Sequence, residues 1–459
     1  MQQNLTEGAI TKKLILFALP LMAGNILQQL YNIVDTLIVG RVLGEIALGA
    51  VGSSFTLMTF LNSIIIGLCM GSSAYFSMQY GKKDFDRLRQ SVYVAFLAIG
   101  TVTLVVNVAV YAGMDGILWF MRVPADSAPL MREYLMYIFA GILAVFLYNF
   151  LANLLRAMGN SLVPLIFLGV SAVLNIFLDL FFILQLNMGV AGAAVATILS
   201  QYISALGLLV YYLRKCPELW VRREHRKWNS QILQDIAGLS VLTCVQQSVM
   251  NFGILMVQGL VNSFGTAVMA AFTAAVKIDA FAYAPVQDFG NAFSTFVAQN
   301  YGAGNKERIK KGIKSAGAMA VIFCLSISAL VCLFANPLMR IFIEADQMEI
   351  IRIGVEYLHI EGACYVGIGL LFLFYGYYRA MNRPGVSVVL TVISLGTRVV
   401  LAYALSAIPA VGVTGIWAAI PIGWVLADIA GALLMERSFI PTSFKRGLGE
   451  SGKTIFRMR

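Results

Sequence analysis

Seven ionisable side chains stand inside long apolar runs of this sequence: Asp35, Asp179, Lys277, Asp279, Asp288, Arg398 and Asp428. A charge at the centre of a hydrocarbon layer costs at least about 2.5 to 3.5 kcal/mol on insertion scales, so each one is by default a candidate for function. Asn175 and Asp179 are four residues apart, which puts an amide and a carboxylate on one face of a helix. Such a pair, with a second carboxylate, can take up and release a proton or a small cation; the plainer alternative is that Asn175 and Asp179 tie helices together by buried hydrogen bonds. Two carboxylates held close together also titrate as a pair. Asp35 stands fifteen residues after Pro20 in the same apolar run. A proline removes a helix hydrogen bond and favours a kink, so protonation of Asp35 and bending near Pro20 are expected to be linked. An ordinary kink and an interfacial carboxylate are the alternative. Polar residues gather in three of the runs, and Gln28, Asn32, Gln246, Gln247, Tyr283, Gln287 and Asp288 are the candidates for lining a substrate cavity. With 20 methionines and 12% aromatic residues, a pliable pocket for flat, apolar cations is the expectation.

The elements that must hold these groups are membrane spans. The chain has 459 residues, 59% hydrophobic and only 12% charged, with a mean hydropathy of +0.80. That is about half the usual charged fraction and more apolar surface than a water-soluble fold buries. Apolar runs long enough to cross about 30 Å of hydrocarbon lie near 14–39, 46–79, 88–113, 131–154, 161–184, 189–213, 235–262, 267–299, 315–337, 353–378, 385–407 and 411–435. The opening segment lacks the pattern of a cleaved leader, so the first span is expected to be retained. The formal charge of +10 is topological. Lysines and arginines cluster on alternate connections, including Lys82, Lys83, Arg156, Arg214–Lys227, Lys306–Lys314 and Arg379–Arg383, whereas the opposite connections hold only Arg41, Arg122, Arg132, Arg340 and Arg352. The positive-inside rule then places both termini in the cytoplasm.

Other functions are disfavoured. The basic residues are not gathered with stacking aromatics, which argues against nucleic acid. Six cysteines lack metal or disulfide spacing, and the two histidines, His225 and His359, have no ligand-spaced partner. No metalloprotease, phosphate-loop or triad motif supports an enzyme, and no covalent cofactor is implied. No filter-like loop supports a channel.

The two halves of the sequence match each other. Arg156-Ala157-Met158-Gly159 recurs as Arg379-Ala380-Met381-Asn382, and Gly189-Val190-Ala191-Gly192 as Gly412-Val413-Thr414-Gly415, both 223 residues on; Gln79-Tyr80-Gly81 answers Gln299-Asn300-Tyr301-Gly302. Two parallel six-helix lobes with pseudo-twofold symmetry are expected, residues 1–213 and 235–436, joined by a basic linker 214–234 and followed by a basic tail 437–459. At this offset Arg398 answers Asn175 and Ala402 answers Asp179, so the carboxylate is special to the first half.

These segments carry a resemblance that covers nearly the whole chain. The run Leu19-Pro20 followed by Gln28-Gln29-Leu30-Tyr31-Asn32-Ile33-Val34-Asp35, the run Ala284-Pro285-Val286-Gln287 leading to Thr295–Gly304, and the Arg-Ala-Met segments resemble the multidrug and toxic compound extrusion (MATE) family of secondary antiporters. The resemblance implies a V-shaped pair of lobes in a bacterial inner membrane, as a monomer, exchanging internal organic cations or drugs for external H⁺ or Na⁺. It further implies a coupling cluster in the first lobe made by Asp35, Asn175, Asp179, Thr197 and Tyr134, which with Na⁺ as the coupling ion would be the only metal site. Another branch of the family places a glutamate on the seventh span; here Gln246, Gln247 and Ser248 stand there, which argues against that sodium site, although Glu361 and Tyr375 on the tenth span leave other chemistry open. The runner-up function is a flippase for a lipid-linked saccharide or other polar lipid. It would need a cationic cavity, and the intramembrane cations expected from the sequence are only Lys277 and Arg398.

Overall fold

The computed structural model describes residues 3–120 and 127–439, and it is helical throughout. Arg122 and most of the basic tail, 440–459, lie outside the described residues. In chain order the helices are α1 (Ile10–Leu43), α2 (Glu45–Lys82), α3 (Phe85–Ala112), the short α4 (Met114–Phe120), α5 (Ala128–Ile138), α6 (Ile142–Ala157), α7 (Leu162–Leu180) and α8 (Gly189–Lys215). The second half continues with α9 (Ser230–Asn262), α10 (Thr266–Gly302), α11 (Lys306–Leu333), the short α12 (Ala335–Met339), α13 (Met348–Gly362), α14 (Tyr365–Ala380), α15 (Pro384–Ser406) and α16 (Val413–Phe439). Among the described residues eleven spans are long and apolar enough to cross a membrane, α5 and α6 acting as one, and α13 with α14, bent by 50° at its break, makes a twelfth if the pair is one span. Side chains such as Val105, Phe177, Ile322, Leu333 and Val400 point outward and are well exposed, as lipid-facing positions of a multi-pass membrane protein must be.

Most helices run several residues beyond the expected bounds, because polar residues at their ends continue the helix outside the apolar window. The tenth span, expected to be continuous over 353–378, is instead broken between Gly362 and Tyr365. Its pseudo-equivalent is the 3₁₀ turn Phe139–Gly141 between α5 and α6.

The repeat is legible in the backbone itself. Left-handed residues recur in register: Gly44 with Gly265, Lys83 with Gly304, Gly159 with Asn382, and Gly189 with Gly412. Glycine and asparagine tolerate that conformation best, which is why the Arg-Ala-Met segments are followed by Gly159 in one copy and Asn382 in the other. Asp84 caps α3 by accepting from the Arg87 amide at 3.0 Å, and Asn305 caps α11 by accepting from the Arg308 amide at 3.2 Å.

The halves meet along α2, α9, α10 and α1. Gly67 and Gly71 of α2 lie so close to Cys244 and Ser240 of α9 that an added Cβ would overlap the facing backbone, a small-residue seam of the kind membrane helices use. At the basic end the contacts become reciprocal. Gly81 abuts the Gln299 carbonyl while Gly302 abuts the Met78 carbonyl, and Met78 answers Gln299 just as Gly81 answers Gly302. The Gln299 side chain, fully buried, donates to the Ala157 carbonyl at 2.7 Å and accepts from the Leu5 amide at 3.3 Å. Arg308 then binds the carbonyls of Leu5, Glu7 and Gly8 at 2.8 to 3.2 Å. The matching Gln-Tyr-Gly motifs are therefore the crossing point that shuts this end.

Candidate functional site

The first cluster is assembled by α1, α5, α7 and α8. Asp179 sits on the last turn of α7, immediately before a π-helical turn at Phe181–Gln185, an irregularity common at functional positions. Its carboxylate is fully buried and, apart from the facing Asp35 carboxyl, neither oxygen has a hydrogen-bond partner. Asp35 of α1 lies against it, with its own Oδ1 buried and unpartnered. One turn along α7, Asn175 donates from Nδ2 to Thr197 Oγ1 at 3.3 Å, which leaves Asn175 Oδ1 buried and free. Tyr134, buried on α5, and Tyr31 on α1 lie within electrostatic reach of both carboxylates. The five residues that the resemblance implied are thus brought together, and Tyr31 is an addition that only proximity reveals. Two ionised carboxylates about 4 Å apart repel by about 4 kcal/mol even at an effective dielectric of about 20. A proton or a cation would relieve such repulsion, and the cluster brings oxygens of Asp35, Asp179, Asn175 and Thr197 together. Among the described residues no basic side chain forms an ion pair with either carboxylate.

Beside this cluster lies a cavity of about 390 Å³, within the range of small-molecule sites, lined by α1, α2, α6, α7, α8, α9, α10 and α14. Gln28, Gln247, Gln287 and Asp288 line it as expected, and Tyr31 joins it to the carboxylates one turn away. Gln246 is buried behind it, on a small adjoining pocket shared with Tyr375. Two candidates fall elsewhere. Asn32 follows the lining residue Tyr31 on α1 but is not itself part of the lining, and Tyr283 packs on the Phe372 ring with centroids 6.2 Å apart. The expected pocket of methionines and aromatics is not what forms: Met70, Tyr31 and Tyr148 are its only such residues among those described. The count of intramembrane cations is also corrected, since Arg156 and Arg379, read from the sequence as loop charges, both line this cavity at the last turns of α6 and α14. A loop assignment follows naturally from an arginine beside a helix-ending motif; only the packing shows that both helices end inside the protein.

A second buried cluster lies in the other half, around the break in the tenth span. Asp279 of α10 accepts hydrogen bonds from the Tyr357 hydroxyl at 2.6 Å and from the Tyr365 hydroxyl. Glu361 and Arg398 lie beside it, all of them nearly or fully buried. Tyr357 is wedged edge-on against Phe272 and Trp417, with ring centroids 5.5 and 4.9 Å away. Of this cluster the sequence flagged Asp279, Arg398, Glu361 and Tyr283 separately; that Tyr357 answers Tyr134 across the repeat was the available signal.

Comparison with known proteins agrees with this architecture. The MatE family model matches the chain twice, over residues 20–181 and 241–404. A probable multidrug resistance protein of Bacillus subtilis, YpnP, is 32% identical over 85% of this chain and 87% of its own. The multidrug export protein MepA of Staphylococcus aureus is 24% identical over 94% of each. Among solved structures, an outward-facing MATE transporter superposes with a TM-score of 0.89 at 23% identity over 95% of this chain and 97% of that one. A Vibrio cholerae MATE transporter gives 0.87 at 21% identity over 93% and 96%. A doubled match across two thirds of the sequence, with a relative above 30% identity along most of its length, places this chain in the MATE family of membrane transporters.

Proposed function

We propose that the chain exports drug-like molecules by antiport against H⁺ or Na⁺, with the coupling ion taken by the Asp35–Asp179 pair. The observation that carries this reading is a pair of adjacent buried carboxylates with no basic partner and several unfilled oxygens, joined to a substrate-sized cavity by Tyr31. The names of the relatives, multidrug resistance and multidrug export, support drugs as cargo. Asn175 and Thr197 supply further oxygens for Na⁺, or hydrogen-bond partners for a protonated Asp179, and Tyr134 walls the site. Uptake of the ion neutralises α1 and α7 where they meet, and Pro20, inside the otherwise continuous α1, is the point where that helix bends in response. If both ligands favour opposite conformations, filling one site releases the other.

The two lobes, 1–213 and 235–436, are proposed to move about the α2–α9 and α1–α10 seams as a monomer. The basic end, with Lys82, Lys83, Lys306 and Arg308, faces the cytoplasm. The reciprocal Gly81 and Gly302 contacts close that end here, which corresponds to a state open toward the outside. The test is efflux of a fluorescent organic cation from proteoliposomes under an imposed proton or sodium gradient. Efflux that follows one gradient and disappears in Asp35→Asn and Asp179→Asn supports the reading; normal transport by those variants overturns the site. Wild-type efflux with Pro20→Ala would remove the bending step alone.

A further inference from the structure

The central cavity holds more positive than negative charge. Arg156 and Arg379 occupy equivalent places in the two Arg-Ala-Met segments, and both line the same cavity, whereas Asp288 is the one acid among its lining residues. Arg379 is only 5% exposed; its Nη2 donates to Asn291 Oδ1 at 2.9 Å and its Nε to Ser294 Oγ at 3.3 Å. Neither arginine has a carboxylate within ion-pair distance among the described residues. Arg156 Nε is buried without a hydrogen-bond partner, and so is Asp288 Oδ2. Asp288 is held by Asn25 and Asn291 and lies within electrostatic reach of Arg156, but the open Nε and Oδ2 remain, and a ligand that completes them recovers hydrogen bonds worth more than neutral ones. The rest of the lining is amide and hydroxyl, including Asn25, Asn149, Asn153 and Ser294. A flat apolar cation finds few faces here to stack on.

We propose that this cavity selects amphoteric substrates, drug-sized molecules with a carboxylate held by Arg156 and Arg379 and a cationic group directed to Asp288. The proposal deepens the exporter reading and rests on it only for the assignment of the cavity as the substrate site. A volume of about 390 Å³ takes one such molecule. The pseudo-symmetric arginines arrive from opposite halves, so the bound anion also bridges the parts that must move.

The experiment is equilibrium binding to the detergent-purified full chain, read by fluorescence polarisation, with rhodamine 110, which keeps a free carboxylate, and rhodamine 123, its cationic methyl ester. Rhodamine 110 is expected to bind at least about tenfold more tightly, a difference of about 1.4 kcal/mol. Arg156→Gln removes most of that preference, and Arg156→Lys restores part of it. Asp288→Asn weakens both dyes alike, since both carry the cation. Arg379→Gln also loses two protein hydrogen bonds, so Arg156→Gln, which loses none, is the deciding variant. Equal or tighter binding of the ester by wild type, binding of neither dye, or an unchanged ratio in Arg156→Gln overturns the proposal. No gradient is involved, and Asp35→Asn keeps the preference. A lost preference with intact coupled efflux therefore sinks only the substrate class, and the converse sinks only the coupling site.

Discussion

The two buried acid clusters occupy related places in the two halves and differ in the groups that surround them. Tyr134 and Tyr357 are equivalent, as are Asn175 and Arg398. In the first half, Asp35 and Asp179 face each other with an amide and a hydroxyl nearby and with oxygens unfilled. In the second, Asp279 takes two phenol hydrogen bonds and Arg398 lies alongside Asp279 and Glu361. The Arg398 guanidinium is the positive charge nearest these carboxylates, yet it makes no ion pair with them among the described residues, and Arg398 Nε and Glu361 Oε2 are buried without hydrogen-bond partners. The same helical framework thus yields one carboxylate pair with no basic side chain beside it and another with phenol donors and a guanidinium nearby. Duplicated architecture fixes where such groups can sit; the side chain at one position decides whether a positive charge sits beside them.

The sharpest way to break this contrast is charge removal in each half. Asp179→Asn is expected to reduce gradient-driven efflux to the level of protein-free liposomes while leaving the thermal midpoint close to wild type, because the amide relieves the repulsion between the carboxylates. Arg398→Asn, which copies the first half into the second, should act oppositely. It strands two buried carboxylates and destabilises the fold by about 3 to 5 kcal/mol, and adding Na⁺ should recover part of the lost midpoint in a thermal-shift measurement. A sodium-insensitive midpoint in this variant would show that Arg398 does not stand in for a mobile cation.

Smaller effects test where the halves are alike. Gly81→Ala and Gly302→Ala each push a methyl into a facing carbonyl, and each should cost about 1 to 3 kcal/mol. Because the contacts are reciprocal, the two losses should be similar, and both should increase labelling of cysteines introduced at the basic end. A large loss at one position only would mean that the seam is less symmetric than its geometry. Tyr357→Phe removes one of two hydrogen bonds to Asp279 and should lower stability by about 1 to 3 kcal/mol; in a calorimetric comparison Tyr134→Phe, with no such bond recorded, should lower it less.

Several of these features could be read along the chain and others could not. The spans, the repeat and the Asn175–Asp179 pair are periodic or local signals, carried by hydropathy and by a four-residue spacing. Thr197 and Tyr134 have no such signal of their own and entered through family resemblance. Arg156 and Arg379 were visible as a repeated motif, yet their place beside a helix end made them look like loop charges. Asn32 and Tyr283 lie off the cavity lining for the complementary reason, that a polar residue on an apolar helix does not say which neighbour it faces.

The sequence by itself determined that this chain lives in a bilayer and that it repeats, since hydropathy and repeated motifs are carried locally along the chain. Only the tertiary structure decided that Asp35 meets Asp179, that Arg398 lies beside Asp279 and Glu361, and that two arginines 223 residues apart line one cavity. Those outcomes depend on which helices touch and at what depth, and contacts between distant segments are set by the packing of small residues along the seams. No spacing within one helix encodes them.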